Sequence, residues 1–116
     1  MTKNFVDYRS RIIAMPRDRT FNVYITSSPN RSTIYIGVTN NLTRRLQEHK
    51  ANRGEAKTFA GRYYCYELVY YEIFKYVNNA IAREKELKKW SRVKKNALIE
   101  SLNPSWDSLN IRFHVE

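Results

Sequence analysis

Between Phe21 and Thr26 the chain alternates: Val23 and Ile25 fall on one side, Asn22, Tyr24 and Thr26 on the other. A period of two predicts a β-strand. Thr33–Thr39 alternates again, with Ile34, Ile36 and Val38 on one face and Tyr35 and Gly37 on the other. Pro29-Asn30 between the two runs favours a turn, so the pair predicts an antiparallel hairpin. A register centred on the Pro29-Asn30 bond sets Tyr24 opposite Tyr35. Both tyrosines then share the face away from the aliphatic set.

The period then changes. Leu42–Asn52 predicts a helix capped by Asn40 or Asn41, with Leu42 and Leu46 as its inner stripe. Arg45 and His49 fall beside that stripe, one turn apart, and Arg44 falls on the outer side. A loop is expected over Arg53–Gly61. Tyr64–Phe74, rich in Tyr, Val, Ile and Phe, predicts a third strand. Asn78 or Asn79 is placed to cap a helix over Ala80–Trp90. A further helix over Val93–Leu102 stops before Asn103-Pro104, because the residue before proline avoids the helical region. Trp106, Leu109, Ile111 and Phe113 predict a tail packed back on the body. Residues 1–20 are expected to form a basic leader, with helical spacing at Phe5, Tyr8 and Ile12 that Pro16 ends. Residues 21–116 are expected to form a single domain. The order predicts an α+β fold, a small antiparallel sheet of about three strands flanked by helices.

Composition narrows the function. The chain has 116 residues, 42% apolar and 28% charged, as in a folded globular protein. Its formal net charge is +10, which points to a polyanionic partner, nucleic acid above all. The bases cluster in Arg44–Arg62 and in Arg83–Lys95. Arg44, Lys50, Lys88, Lys89 and Arg92 are the candidate nucleic-acid contacts. The longest apolar run, around Leu68–Tyr71, is strand-sized, so no membrane role is expected. The one cysteine, Cys65, leaves no internal disulfide and accords with a reducing cytoplasm. Two histidines and one cysteine are too few for a zinc cage, and no glycine-rich loop signals a nucleotide cofactor.

Candidate chemistry sits on a few residues. On a wheel over Ala80–Ser91, Glu84 lies in the less polar arc with Ala80, Ile81, Leu87 and Ser91, whereas Glu86 lies on the solvated side. An inward carboxylate is costly unless it meets a base, such as Arg45, or a metal. Arg45 and His49 read either as a side chain snorkelling over the core and a semi-buried histidine, or as site residues. Tyr24 and Tyr35 read either as sheet packing or as partners in that site. Their convergence on one face favours a site.

At these residues the chain resembles the GIY-YIG nucleases. Asn22-Val23-Tyr24 followed by Tyr35-Ile36-Gly37 looks like the family's paired tripeptides. The likeness continues in Asn41-Leu42-Thr43-Arg44-Arg45, His49, Ala80-Ile81-Ala82-Arg83-Glu84, Lys88-Lys89-Trp90 and Asn103-Pro104-Ser105-Trp106. It covers about Phe21–Leu109 and is nearest to small stand-alone members similar to the amino-terminal nuclease domain of the repair excinuclease. Asn22 stands where the first glycine is usual, and Val38 where excinuclease relatives carry lysine. The resemblance implies a metal-dependent endonuclease acting on DNA, with repair or processing as its setting, and leaves RNA open as a substrate. It implies that Tyr24 or Tyr35 activates water, that Arg45 holds the scissile phosphate and that His49 assists proton transfer. It further implies that Glu84 binds one Mg²⁺ or Mn²⁺ and that Asn103 supports the site. Nearby Arg45 and a bound metal are expected to lower the tyrosine pKa. The rival readings are a nucleic-acid-binding domain without catalysis and an interaction module reusing the fold.

Overall fold

The computed structural model describes residues 19–116. The spacing of Phe5, Tyr8 and Ile12 lies outside them. Strand β1 (Phe21–Ser27) is central, with β2 (Ile34–Thr39) and β3 (Glu67–Phe74) antiparallel on either side. Helices α1 (Leu42–Ala51), α2 (Phe59–Arg62), α3 (Val77–Lys88) and α4 (Arg92–Leu102) surround this sheet, and a 3-10 turn at Asn110–Phe113 ends the chain's regular structure. The fold is the expected three-stranded antiparallel α+β arrangement.

The sheet is covered on both faces. On one, Val23, Ile25, Ile36 and Val69 bury against Ala80 and Leu87 of α3 and Ile99 of α4. On the other, Tyr24 and Leu68 bury against Leu42 and Leu46 of α1 and against Leu109 and Val115 of the tail. The alternation of aliphatic and tyrosine positions thus separates two cores, each built by apolar burial.

The hairpin register differs from expectation by two residues: Tyr24 pairs with Gly37 and Thr26 with Tyr35. The turn is centred one bond later than Pro29-Asn30, because Arg31 takes the left-handed conformation (φ 64°) and Ser28 closes the loop against Thr33. A shift of two preserves side-chain parity, so both tyrosines keep their common face. Two arginines brace this turn. Arg31 reaches Glu67 and the Trp106 carbonyl, and Arg92 donates to the Ser32 and Arg31 carbonyls.

Other boundaries moved for local reasons. Asn41 caps α1 through the Arg44 amide, and Asn52 lies just past its end. The expected Arg53–Gly61 loop contains the first three residues of α2, a single turn capped by Thr58 and too short to show a period. β3 begins at Glu67 rather than Tyr64, because Tyr64 is left-handed (φ 58°). α3 begins at Val77, straight after the strand exit. Asn78 and Asn79 therefore sit in its first turn and do not cap it. The helix ends at Lys88, Trp90 lies beyond it, and Ser91 caps α4 through the Lys94 amide. Ile81 and Ser91, placed on the less polar arc by the wheel, are exposed.

The tail returns to β3, as Trp106, Leu109 and Phe113 predicted, although Ile111 points outward. The Leu109 amide donates to the Leu68 carbonyl (2.7 Å), and the Asn110 side chain bonds Leu68 N (2.7 Å) and Tyr66 O (3.0 Å). Asn103 adds a bond to Val69 O (3.1 Å).

Candidate active site

The hairpin presents Tyr24, Tyr35 and Gly37 on one face, and α1 lies across them because Leu42 and Leu46 belong to the core there. One helical turn separates Arg45 from His49, so both reach the tyrosines from above. Tyr24, Tyr35 and His49 form a triangle of rings, with centroids 6.2, 5.6 and 5.5 Å apart. Tyr24 Oη lies 2.8 Å from His49 Nε2 and receives Arg45 Nε at 3.2 Å. Because Arg45 only donates, the Tyr24 hydroxyl accepts there and shares one proton, its own or the imidazole's, with His49 Nε2. Arg45 Nη1 also binds Glu48 Oε1 at 2.9 Å.

Exposure separates the two tyrosines. Tyr24 is fully buried (0%), while Tyr35 is half-buried. Tyr24 therefore acts on its neighbours, and Tyr35 is the more accessible of the two. Arg45 is partly open, its side chain 39% exposed. It lines an open cleft of about 390 Å³ together with Thr39, Asn40, Arg44, Glu48 and apolar Phe21, Val38 and Val77.

Gly37 makes this packing feasible. A β-carbon there would stand 2.6 Å from Tyr24 Oη and 2.7 Å from its Cζ. The second tripeptide thus places a gap, and the tyrosine of the first fills it.

Burial sets the protonation states. It holds the Tyr24 hydroxyl well above the usual tyrosine range, and the Arg45 hydrogen bond offsets only part of that rise. Arg45 lowers it as expected, but desolvation outweighs that contribution. Burial, helped by the Arg45 charge, pushes the His49 imidazole down to about 4. At neutral pH His49 is therefore neutral. Arg45 is fully charged: burial works against it, but hydrogen bonds to Tyr24 and Glu48 outweigh that and raise its pKa.

Glu84 lies on α3 between the buried Ala80 and Leu87, with its side chain only 19% exposed. Its partner is Lys88 (3.1 Å), not Arg45. The carboxylate is still near enough for its charge to raise the Tyr24 pKa. Glu86, in contrast, is 54% exposed and pairs with Arg83. Among the described residues no three acidic, histidine or cysteine side chains gather as metal ligands. One hard carboxylate fits a Mg²⁺-class ion, which takes one or two protein oxygens and completes its shell with water and phosphate; it does not fit a zinc cage.

The remaining candidates are dispersed. Asn103 is buried, and its amide bonds Val69 O, Asp107 O and Asp107 N, so it ties the tail to β3 and makes no bond to the tyrosine cluster. Arg44, Lys50, Lys88 and Lys89 are at least partly exposed, whereas Arg92 is committed to the hairpin turn. Glu48 was missed by the sequence reading. Its position three residues after Arg45 and four after Arg44 is a readable signal for a helical ion pair. No described helix is long and apolar enough to cross a membrane.

The chain is similar to several known proteins. A UPF0213 protein of Haloquadratum walsbyi is 40% identical over 78 residues, covering 67% of this chain and 84% of its own length. One from Natronomonas pharaonis is 43% identical over 77 residues, covering 66% and 87%. The solution structure of a UPF0213 protein from Bacillus halodurans is 29% identical, with a TM-score of 0.48, covering 75% of this chain and 89% of that one. Residues 20–96 match the GIY-YIG catalytic domain, a family whose members are in general divalent-metal nucleases. With the tyrosine pair, Arg45, His49 and Glu84 all inside that span, the chain belongs to the GIY-YIG family.

Proposed function

We propose that this protein is a divalent-metal-dependent endonuclease that hydrolyses phosphodiester bonds in DNA. The observation that carries the reading is Arg45: a charged guanidinium fixed by a buried tyrosine and a glutamate, and opening onto a cleft. A fixed cation of this kind stabilises the extra negative charge of a phosphorane in a way that a mobile surface base does not.

In hydrolysis a water oxygen bonds to phosphorus, one ester P–O bond breaks, the water loses a proton and the departing oxygen gains one. Arg45 binds the non-bridging phosphate oxygens and steadies their charge. Tyr35 orients the water through its hydroxyl and relays its proton. Tyr24 and His49 are positioning residues, since both are buried: Tyr24 aims Arg45, and neutral His49 fixes the Tyr24 hydroxyl. Glu84 would hold the divalent ion, Mg²⁺ or Mn²⁺, which when bound supplies Lewis-acid stabilisation to the phosphate and leaving oxygen. Release of Lys88 from Glu84 frees an ammonium for the DNA backbone, alongside Arg44, Lys50 and Lys89. Asn103 supports the site indirectly, through the strand and tail that it joins. Arg92 acts by bracing the hairpin, and DNA repair or processing in the cytoplasm is the setting of this reading.

Supercoiled plasmid incubated with the protein and Mg²⁺ or Mn²⁺ should convert to nicked or linear forms, and EDTA should stop the conversion. A parallel structured RNA measures the preference for DNA. Intact plasmid with either metal, despite salt-sensitive DNA binding, would overturn the nuclease reading in favour of a binding domain.

A further inference from the structure

The segment Arg53–Tyr66, which joins α1 to β3, is ordered by its small residues. Thr58 caps α2 through the Gly61 amide, Gly54 N bonds Gly61 O, and Ala60, Gly61 and Cys65 are buried. A β-carbon on Gly61 would stand 2.6 Å from the Glu55 carbonyl oxygen, so the turn closes tightly on itself. Its large rings face the opposite way. Phe59, Tyr63 and Tyr64 are 51%, 44% and 50% exposed. Phe59 and Tyr63 stack on each other with centroids 4.7 Å apart, and Tyr64, on a left-handed backbone, lays the hydroxyl end of its ring by Gly54 while half of the residue stays exposed. Three bases, Arg53, Lys57 and Arg62, are exposed on the same segment against a single acid, Glu55.

Three exposed rings contribute little to the fold there, and apolar patches of this kind mark interaction surfaces. The interleaved cations select an anionic partner with flat apolar faces. Unpaired nucleotides have both, a phosphate for each base and a π-face to stack. A duplex hides its base faces and offers only charge. The segment also continues directly from the helix that carries Arg45 and His49.

We propose that Arg53–Tyr66 is a stacking platform for unpaired bases, so that the favoured substrate carries a single-stranded stretch next to the scissile bond. This rests on the nuclease reading above, but it is tested by binding rather than by cleavage. The probes are a labelled oligo-dT of about twelve nucleotides, carrying one 2-aminopurine, and a blunt duplex of the same length. Both are titrated in EDTA against the full chain and against two folded variants, Phe59→Leu/Tyr63→Leu and Tyr64→Asn. Leucine keeps apolar bulk without a ring, and asparagine tolerates the left-handed backbone. The oligo-dT affinity should fall roughly tenfold in the double variant, and the quenching of 2-aminopurine that reports stacking should be lost. Duplex affinity should stay within about twofold, since the variants keep every cation of the segment and a duplex offers no base faces to stack. Tyr64→Asn should show the same split independently. Unchanged oligo-dT affinity in both variants would overturn the platform and leave the nuclease reading standing. Failure of the parent to bind either probe would overturn both. Loss of self-association in the variants with oligo-dT affinity intact would reassign the patch to contact between copies of this chain.

Discussion

The ring of Tyr24 lies across Gly37 of the neighbouring strand, occupying the space that any side chain at position 37 would need. This contact aims the Tyr24 hydroxyl at Arg45 and His49. Gly37→Ala should therefore cost about 1–3 kcal/mol through overpacking and reduce cleavage by displacing Arg45. A thermal melt and a cleavage rate both matching the parent would show that the ring has room to move.

The two tyrosines should fail differently when their hydroxyls are removed. Tyr35→Phe should abolish cleavage and leave the melting temperature almost unchanged, because in this reading its hydroxyl serves the substrate. Tyr24→Phe should lower both stability, by about 1 kcal/mol, and cleavage, because it leaves His49 and Arg45 without their partner. Equal loss of stability in the two variants would remove the distinction between them.

Neighbouring arginines give a second contrast. Arg45→Ala should lose single-turnover cleavage at saturating DNA by at least about a hundredfold, as expected for a phosphate-stabilising donor. Arg44→Ala removes a 61%-exposed side chain in a long 3.7 Å ion pair, and should mainly weaken DNA affinity. Comparable catalytic losses in both would sink the assignment.

His49 makes stability depend on pH. Its folded pKa, about 4, lies below the unfolded value near 6.5. Above that value the imidazole is neutral in both states. As pH falls from about 6.5 to 4 the unfolded chain takes up a proton that the folded chain resists, so stability declines by up to about 3 kcal/mol. Denaturant melts at several pH values should show this slope in the parent and a flatter one in His49→Gln. A parent and variant with the same slope would place the titration on another group.

The metal reading rests on Glu84 against Glu86. Glu84→Gln should stop cleavage across a full Mg²⁺ titration, while leaving the fold intact and DNA binding equal or slightly tighter. Glu86→Gln removes only an exposed pair with Arg83 and should cut like the parent. Cleavage at the parent rate by folded Glu84→Gln would refute the role of Glu84.

Much of this was legible because parity and helical period are local properties. The alternation around Tyr24 and Tyr35 survived a register shift of two, since an even shift leaves every side chain on its face. The spacing of Leu42, Leu46, Arg45 and His49 likewise carried the site helix. What was not legible depends on three-dimensional surroundings. The burial of Tyr24, which outweighs the lowering of its pKa by Arg45 and separates it from Tyr35, needs α1 and the tail in place. The partner of Glu84 and the bonding of Asn103 are set by packing across elements. The single turn α2 was hidden by its length, although Thr58 marked its start.

The return of the tail to β3 has a consequence for the protein's behaviour at high concentration. β3 is an outer strand, and outer strands are templates onto which a second chain can add. Here Leu109 and the amides of Asn110 and Asn103 already satisfy Tyr66 O, Leu68 N, Leu68 O and Val69 O. Two asparagine side chains thus imitate a fourth strand without presenting a new edge of their own. They guard the first half of β3 against the ladder growth that leads to amyloid-like aggregation.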